Sequence, residues 1–83
     1  MKDLKIIRKE IEVVDKELIK LFNERMELIA QLNKEIVEDE KREEELIHKN
    51  LSLVNKEYVS YYFDFYNNLF NLSKEYQKKK KGL

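Results

Sequence analysis

The first part of the chain has an amphipathic pattern. Apolar residues recur at steps of three and four over about residues 4–36, with one position skipped. They are Leu4, Ile7, Ile11, Val14, Leu18, Leu21, Leu28, Leu32 and Ile36. Because this spacing keeps the apolar side chains on one face and no residue in the stretch breaks a helix, it predicts one long helix. At 1.5 Å per residue this helix would be about 50 Å long.

Two shorter helices are predicted in the rest of the chain. A polar cluster at 38–40 is the expected connection, and a second helix follows over about residues 41–53. Asn55 is a residue type that favours helix N-caps, and a third helix is predicted over about residues 56–79. All five Tyr and three of the four Phe lie within residues 58–76. We interpret this aromatic stripe as core packing.

The predicted fold is therefore all-α, with one long and two shorter helices in a single domain over residues 1–83. The two shorter helices are not long enough to cover the first one in a monomer. Chains of this size are marginally stable alone and often form a core by oligomerising. We therefore expect an intertwined helical homodimer in which the long helices pair.

Composition excludes several kinds of chemistry. The chain has no Cys and a single His, His48, which excludes disulfides, Cys-ligated metals and thiol nucleophiles and argues against a His-based metal site. It has no Pro and one Gly, so it has no P-loop and no dinucleotide-binding fingerprint. We expect no membrane span and no signal peptide, and hence a cytoplasmic protein. We assign no role to His48, which we expect to be exposed.

The basic residues are unevenly divided between Lys and Arg. The 17 basic residues balance 17 acidic ones, which argues against a nucleic-acid binder. Fourteen of the 17 are Lys, and the three Arg are Arg8, Arg25 and Arg42. Arg provides a planar, two-pronged donor that Lys lacks, so these three positions are candidates for binding an anion. The basic tail at 78–81 is expected to be a solvated helix end.

Polar residues interrupt the apolar faces of the first and third helices. Arg25 occupies the skipped heptad position. Its guanidinium either reaches water while its stem packs, or lines a buried anion site. Phe70, Ser73 and Gln77 share one face of the third helix, where Ser73 could bond to its own helix backbone and Gln77 could cap. Together with Arg25 they suggest a polar pocket inside a bundle.

Three stretches of the chain resemble the motifs of the all-helical class of chorismate mutase. The first helix of that family approximately follows L-R-x-x-I-D-x-I-D-x-x-L-x-x-L and has a second Arg 17 positions after the first, and residues 7–25 are IRKEIEVVDKELIKLFNER. The second begins D-x-x-R-E-x-x-L-L, and residues 39–47 are DEKREEELI. The third contains S-x-x-x-Q, and residues 73–77 are SKEYQ. The resemblance covers about residues 4–77.

The resemblance implies both a fold and a reaction. The fold has three helices per chain and two interlocked chains, with two active sites inside the dimer. The reaction is the rearrangement of chorismate to prephenate in the shikimate pathway of aromatic amino-acid biosynthesis. It is unimolecular and pericyclic, so no cofactor, metal or nucleophile is implied. Catalysis would come from holding the dianion in a compact chair and stabilising charge on the breaking ether oxygen.

The resemblance assigns four residues to the substrate carboxylates. Arg8, reaching across from the partner chain, and Arg25 would clamp the carboxylates. Bidentate geometry explains why Lys is not used there. Arg42 would add positive potential and a carboxylate contact, and Ser73 would hydrogen-bond the same end.

The other matching residues are assigned to the ring hydroxyl and the ether oxygen. Glu43 would bind the hydroxyl, helped by the backbone near Asp39. Gln77 would donate a hydrogen bond to the ether oxygen. The catalytic residues that the resemblance implies are therefore Arg8, Arg25 and Gln77.

The chain departs from the family at one position. The family has a lysine 11 residues after the second Arg, which contacts a carboxylate and the ether oxygen, and this chain has Ile36 there. Lys34 would point roughly the opposite way, and Lys41 on the second helix is the other candidate. Losing one such donor costs on the order of 100- to 1000-fold in rate. The resemblance therefore implies a chorismate mutase that is weakened by this loss.

Two alternatives remain open. One keeps the fold and is an isochorismate-pyruvate lyase relative or a non-catalytic ligand-binding paralogue, and Ile36 motivates it. The other is a plain helical interaction module, in which Arg25→Ala would be neutral or stabilising.

Overall fold

The computed structural model describes residues 3–32 and 40–80. Over these residues the chain forms α1 (Leu4–Gln31), α2 (Glu40–Asn50) and α3 (Val59–Lys80), and it contains no strand. The predicted all-α class with three helices is confirmed. Ile36, the predicted end of the first helix, lies outside the described residues. Among the described helices, none combines the length and the hydropathy that a membrane-spanning segment needs.

Asp3 determines where α1 begins. Its carboxylate oxygen Oδ1 accepts a hydrogen bond from the backbone N–H of Lys5 at 3.0 Å. Its backbone carbonyl accepts the N–H of Ile7 at 3.1 Å. An aspartate at this position satisfies a backbone donor that the first turn leaves open, which stabilises a helix by roughly 1 kcal/mol. α1 belongs to a compact unit of its own, Met1–Gln31.

The apolar face of α1 is largely exposed. No residue of Leu4–Gln31 is buried. At least half of the surface is exposed in six members of the apolar stripe, namely Leu4, Ile11, Val14, Leu18, Leu21 and Leu28. Most of the stability of a helix in a protein comes from packing an apolar face. The exposed stripe of α1 is therefore a surface to which a partner could bind.

The second compact unit, Leu32–Leu83, contains α2 and α3. After α2 the chain forms a 3₁₀ turn at Leu51–Leu53, and the backbone becomes extended at Val54. A second 3₁₀ turn, Lys56–Tyr58, leads into α3, and Asn55 stands at its N-cap without a side-chain cap hydrogen bond. Instead, the backbone carbonyl of Asn55 accepts the N–H of Tyr58 at 2.9 Å. Asn55 thus occupies the cap position through its backbone alone.

A small core joins α2 to α3. Ile47 on α2 and Phe70 on α3 are buried, with 7% and 5% of their surface exposed. Tyr62 donates a hydrogen bond from its hydroxyl to the Ile47 carbonyl at 2.8 Å. The ring of Tyr66 lies 5.1 Å from that of Tyr62 and 5.8 Å from that of Phe70, measured between centroids. Tyr62, Tyr66 and Phe70 therefore pack on one another along α3, in agreement with the core-packing interpretation. Three other members of the stripe are more than half exposed, so the interpretation does not hold for them; they are Tyr58, Tyr61 and Phe65.

We expect Tyr62→Phe to lower the free energy of unfolding by about 1 kcal/mol, because it deletes one hydrogen bond and leaves the Ile47 carbonyl without that donor. Urea denaturation of both proteins at one protein concentration measures the difference. Tyr61→Phe is the matched control, since Tyr61 is 71% exposed. A loss for Tyr61→Phe as large as that for Tyr62→Phe would contradict the assignment.

The same hydroxyl gives a dependence on alkaline pH. Burial raises the pKa of Tyr62 above its ordinary value, and the nearby Tyr66 raises it further. Because the folded state holds this proton more tightly than the unfolded state, the contribution is complete below about pH 10 and is lost as the pH rises through the folded-state pKa. The wild type should therefore lose stability more steeply than Tyr62→Phe above about pH 10.

Candidate functional site

One face of α3 carries two polar residues, Ser73 and Gln77, that are buried; we call it the buried polar face. Ser73 and Gln77 each have only 6% of their surface exposed, and with Phe70 they are the buried residues of this helix. The three lie at i, i+3 and i+7, so they share one face. A buried amide or hydroxyl is costly unless it finds a hydrogen-bond partner. This face can therefore present hydrogen-bonding groups to a ligand in a site that is largely shielded from water.

Ser73 is engaged with its own helix. Its Oγ donates a hydrogen bond to the carbonyl of Leu69 at 2.8 Å. This is the bond to its own helix backbone that the sequence left open as an explanation for Ser73. A serine has one O–H, so this hydroxyl must rotate away from Leu69 before it can donate to a carboxylate.

An ion pair connects α2 to α3 beside this face. The ammonium Nζ of Lys74 lies 3.0 Å from Oε2 of Glu43, and the two side chains are 17% and 23% exposed. Both residues line a cavity of about 340 Å³ whose other lining residues are Glu44, Ile47, His48, Phe63 and Asn67. Lys74 is not among the residues that the sequence patterns predict for a site. Its position between Ser73 and Gln77 in the S-x-x-x-Q motif was the available signal.

The two arginines of α1 differ in environment and are far apart. Arg8 is exposed and Arg25 is half-buried. They are 17 positions apart, which is about 25 Å along a straight helix. Arg8 lies in an open depression of about 510 Å³ lined also by Asp3, Leu4, Lys5, Lys9 and Glu12. Because of this distance, the two arginines of one chain do not both contact one small dianion.

The family model that describes chorismate mutase type II matches residues 7–78. The chain belongs to the chorismate mutase type II family. No curated protein and no solved structure matches the chain significantly. The match includes all three motif stretches, and it confirms the resemblance that they indicated.

Of the remaining predicted site residues of this chorismate mutase family member, some are exposed and others lie outside the described residues. Arg42 and Lys41 on α2 are exposed. Asp39, which was predicted to help at the ring hydroxyl, lies outside the described residues, as do Ile36 and Lys34. The roles of all these residues remain predictions.

His48 is exposed, as predicted, and it is one of the residues that line the cavity between α2 and α3. Within residues 3–32 and 40–80, no group of three or more His, Asp or Glu side chains is arranged to hold a metal ion. The groups that the described residues offer to a ligand are therefore guanidinium, ammonium, carboxylate, amide and hydroxyl groups.

Proposed function

We propose that this protein is a chorismate mutase, which converts chorismate to prephenate in aromatic amino-acid biosynthesis in the cytoplasm. In this rearrangement an ether C–O bond breaks while a C–C bond forms in the same molecule. No proton, electron or leaving group has to be transferred to the protein. The reaction therefore matches a site made of hydrogen-bond donors and cations, and the family match over residues 7–78 supports it.

The burial of Gln77 is the observation that carries the proposal. The amide N–H₂ of a glutamine can donate to the ether oxygen, on which negative charge develops as the C–O bond breaks. Such a donor acts more strongly in a site shielded from water, because no solvent has to reorganise during the reaction. Gln77 is 94% shielded, since only 6% of its surface is exposed. It is therefore our candidate for the residue that stabilises the transition state most directly.

We further propose that the active protein is a homodimer in which Arg8 acts on the partner's substrate. Arg8 and Arg25 are about 25 Å apart on α1, so one substrate can meet both only if they come from different chains. The exposed apolar stripe of α1 supports a second copy as its partner, because burying each of these side chains stabilises the dimer by roughly 1 to 2 kcal/mol.

Chorismate turnover by the purified protein tests the activity. We expect prephenate, identified by chromatography against a standard, at a rate above that of the uncatalysed reaction. Pyruvate released from isochorismate, without prephenate from chorismate, would favour the lyase alternative. Binding of a bicyclic transition-state analogue without turnover would favour the non-catalytic paralogue, and neither binding nor turnover would favour the interaction module.

A mixed-dimer arm of the same test addresses the placement of Arg8. Arg8→Ala and Gln77→Leu should each be nearly inactive as homodimers. When the two variants are coexpressed with different tags, each heterodimer has one intact site. Random pairing then restores about a quarter of the wild-type activity. If Arg8 acted on its own chain, no heterodimer site would be intact and activity would not return.

A further inference from the structure

Lys74 is well shielded for a lysine. Its side chain is 17% exposed, whereas lysine is among the residues that are almost always exposed. The ion pair with Glu43 accounts for its direction, but a pair that remains partly in contact with water adds little to stability. A structural role alone is therefore a weak reason to hold this ammonium between α2 and α3.

The position of Lys74 on α3 places it beside the buried polar face. It follows Ser73 directly and precedes Gln77 by three residues. Side chains three residues apart on a helix are neighbours, with Cβ atoms about 5 to 6 Å apart. The ammonium has three N–H donors, and the bond to Glu43 needs one of them. The other two donors can serve a ligand in the cavity that Lys74 and Glu43 both line.

The negative charge of the proposed substrate is a reason to have a cation beside Glu43. A carboxylate at Glu43 repels a dianion that approaches it, and the repulsion is strong where little water screens it. Lys74 offsets that charge at a separation of 3.0 Å and fixes the direction of the carboxylate. Glu43 can then accept a hydrogen bond from a ring hydroxyl without opposing the binding of the substrate carboxylates.

We propose that Lys74 is a further substrate-binding residue of this site. It orients Glu43, and it supplies the positive charge that the family's lysine provides at the position where this chain has Ile36. This inference rests on the proposed chorismate mutase function. It differs from the earlier candidates, Lys34 and Lys41, because Lys74 comes from α3 and contacts a site residue directly.

Kinetics of Lys74→Met test the proposal. We expect kcat/KM for chorismate to fall about 100-fold, as is typical when one charged donor is removed from such a site. Lys79→Met is the matched control, because it removes the same charge from an exposed position of the same helix, and its kcat/KM should stay within about twofold of wild type. The midpoint of thermal unfolding should fall by only a few degrees in either variant.

A rescue variant separates a substrate-binding role from a structural one. Ile36→Lys added to Lys74→Met should restore kcat/KM by at least about tenfold, because the resemblance assigns position 36 to the family's substrate-contacting lysine, and a cation there would not rebuild the ion pair with Glu43. In the wild-type background Ile36→Lys should change kcat/KM by less than about threefold. A large gain there, or a Lys74→Met variant as active as Lys79→Met, would overturn the proposal.

The binding of a bicyclic dianionic transition-state analogue distinguishes failure of this inference from failure of the proposed function. If the wild type does not turn over chorismate but binds the analogue, weaker binding by Lys74→Met than by Lys79→Met still supports Lys74 as a binding residue. Equal binding by the two variants overturns the inference alone. If the wild type neither binds the analogue nor forms prephenate, both proposals are wrong.

Discussion

Replacing Arg25 with leucine should lower kcat/KM for chorismate by at least about 100-fold and leave the protein folded. The guanidinium would clamp a substrate carboxylate by two charge-assisted hydrogen bonds, each of which contributes roughly 1.5 to 3 kcal/mol. Leucine is also the residue type that the heptad pattern expects at this position. Loss of the half-buried Arg25 should therefore change the free energy of unfolding by no more than about 1 kcal/mol in either direction.

Steady-state kinetics and urea denaturation on the same preparation measure both effects. Lys20→Leu is the control, because it also replaces a cation of α1 with leucine but at an exposed position outside the apolar stripe. It should retain nearly full activity. If Arg25→Leu were as active as Lys20→Leu and no less stable than wild type, Arg25 would be a snorkelling residue in an interaction module. A large loss of kcat/KM with nearly unchanged stability could not be explained by misfolding.

Sequence pattern was sufficient for the helices because helical periodicity is a local property. The steps of three and four from Leu4 to Leu28 lie within one helix, and so do Phe70, Ser73 and Gln77. Neighbours on a helix face follow from the geometry of the helix alone. The same logic predicted that Ser73 and Gln77 share a face with a core aromatic residue, and the structure buries all three.

Contacts between different helices could not be predicted from helical periodicity. Glu43 and Lys74 are 31 positions apart, and no periodicity within α2 or α3 specifies which of their residues meet. The sequence pattern also does not specify which acceptor a buried hydroxyl will use. Ser73 could have faced a ligand or its own helix, and in the structure it donates to Leu69. Asn55 shows the same limit, since its residue type predicted a cap position but not that only its backbone would be used.

Replacing Gln77 with leucine should lower kcat by about 100- to 1000-fold and change KM by much less. The ether oxygen is a weak acceptor in chorismate and gains negative charge only as the bond breaks, so a donor placed there acts mainly in the transition state. Removing an interaction of that kind lowers kcat and kcat/KM together. A glutamine that only helped to bind the substrate would instead raise KM and leave kcat unchanged.

Measuring the stability of Gln77→Leu distinguishes a catalytic role of Gln77 from a structural one. Gln77 is buried, and an apolar residue of similar size avoids the cost of shielding an amide from water, so Gln77→Leu should be as stable as wild type or more stable. Asn71→Leu is the control, because it removes an amide from an exposed position of the same helix and should leave kcat unchanged. If Gln77→Leu unfolded more easily and kept its kcat, Gln77 would be a structural residue of α3. The natural sequence would then retain a buried amide for its contacts within the fold, and catalysis would have to depend on the cations alone.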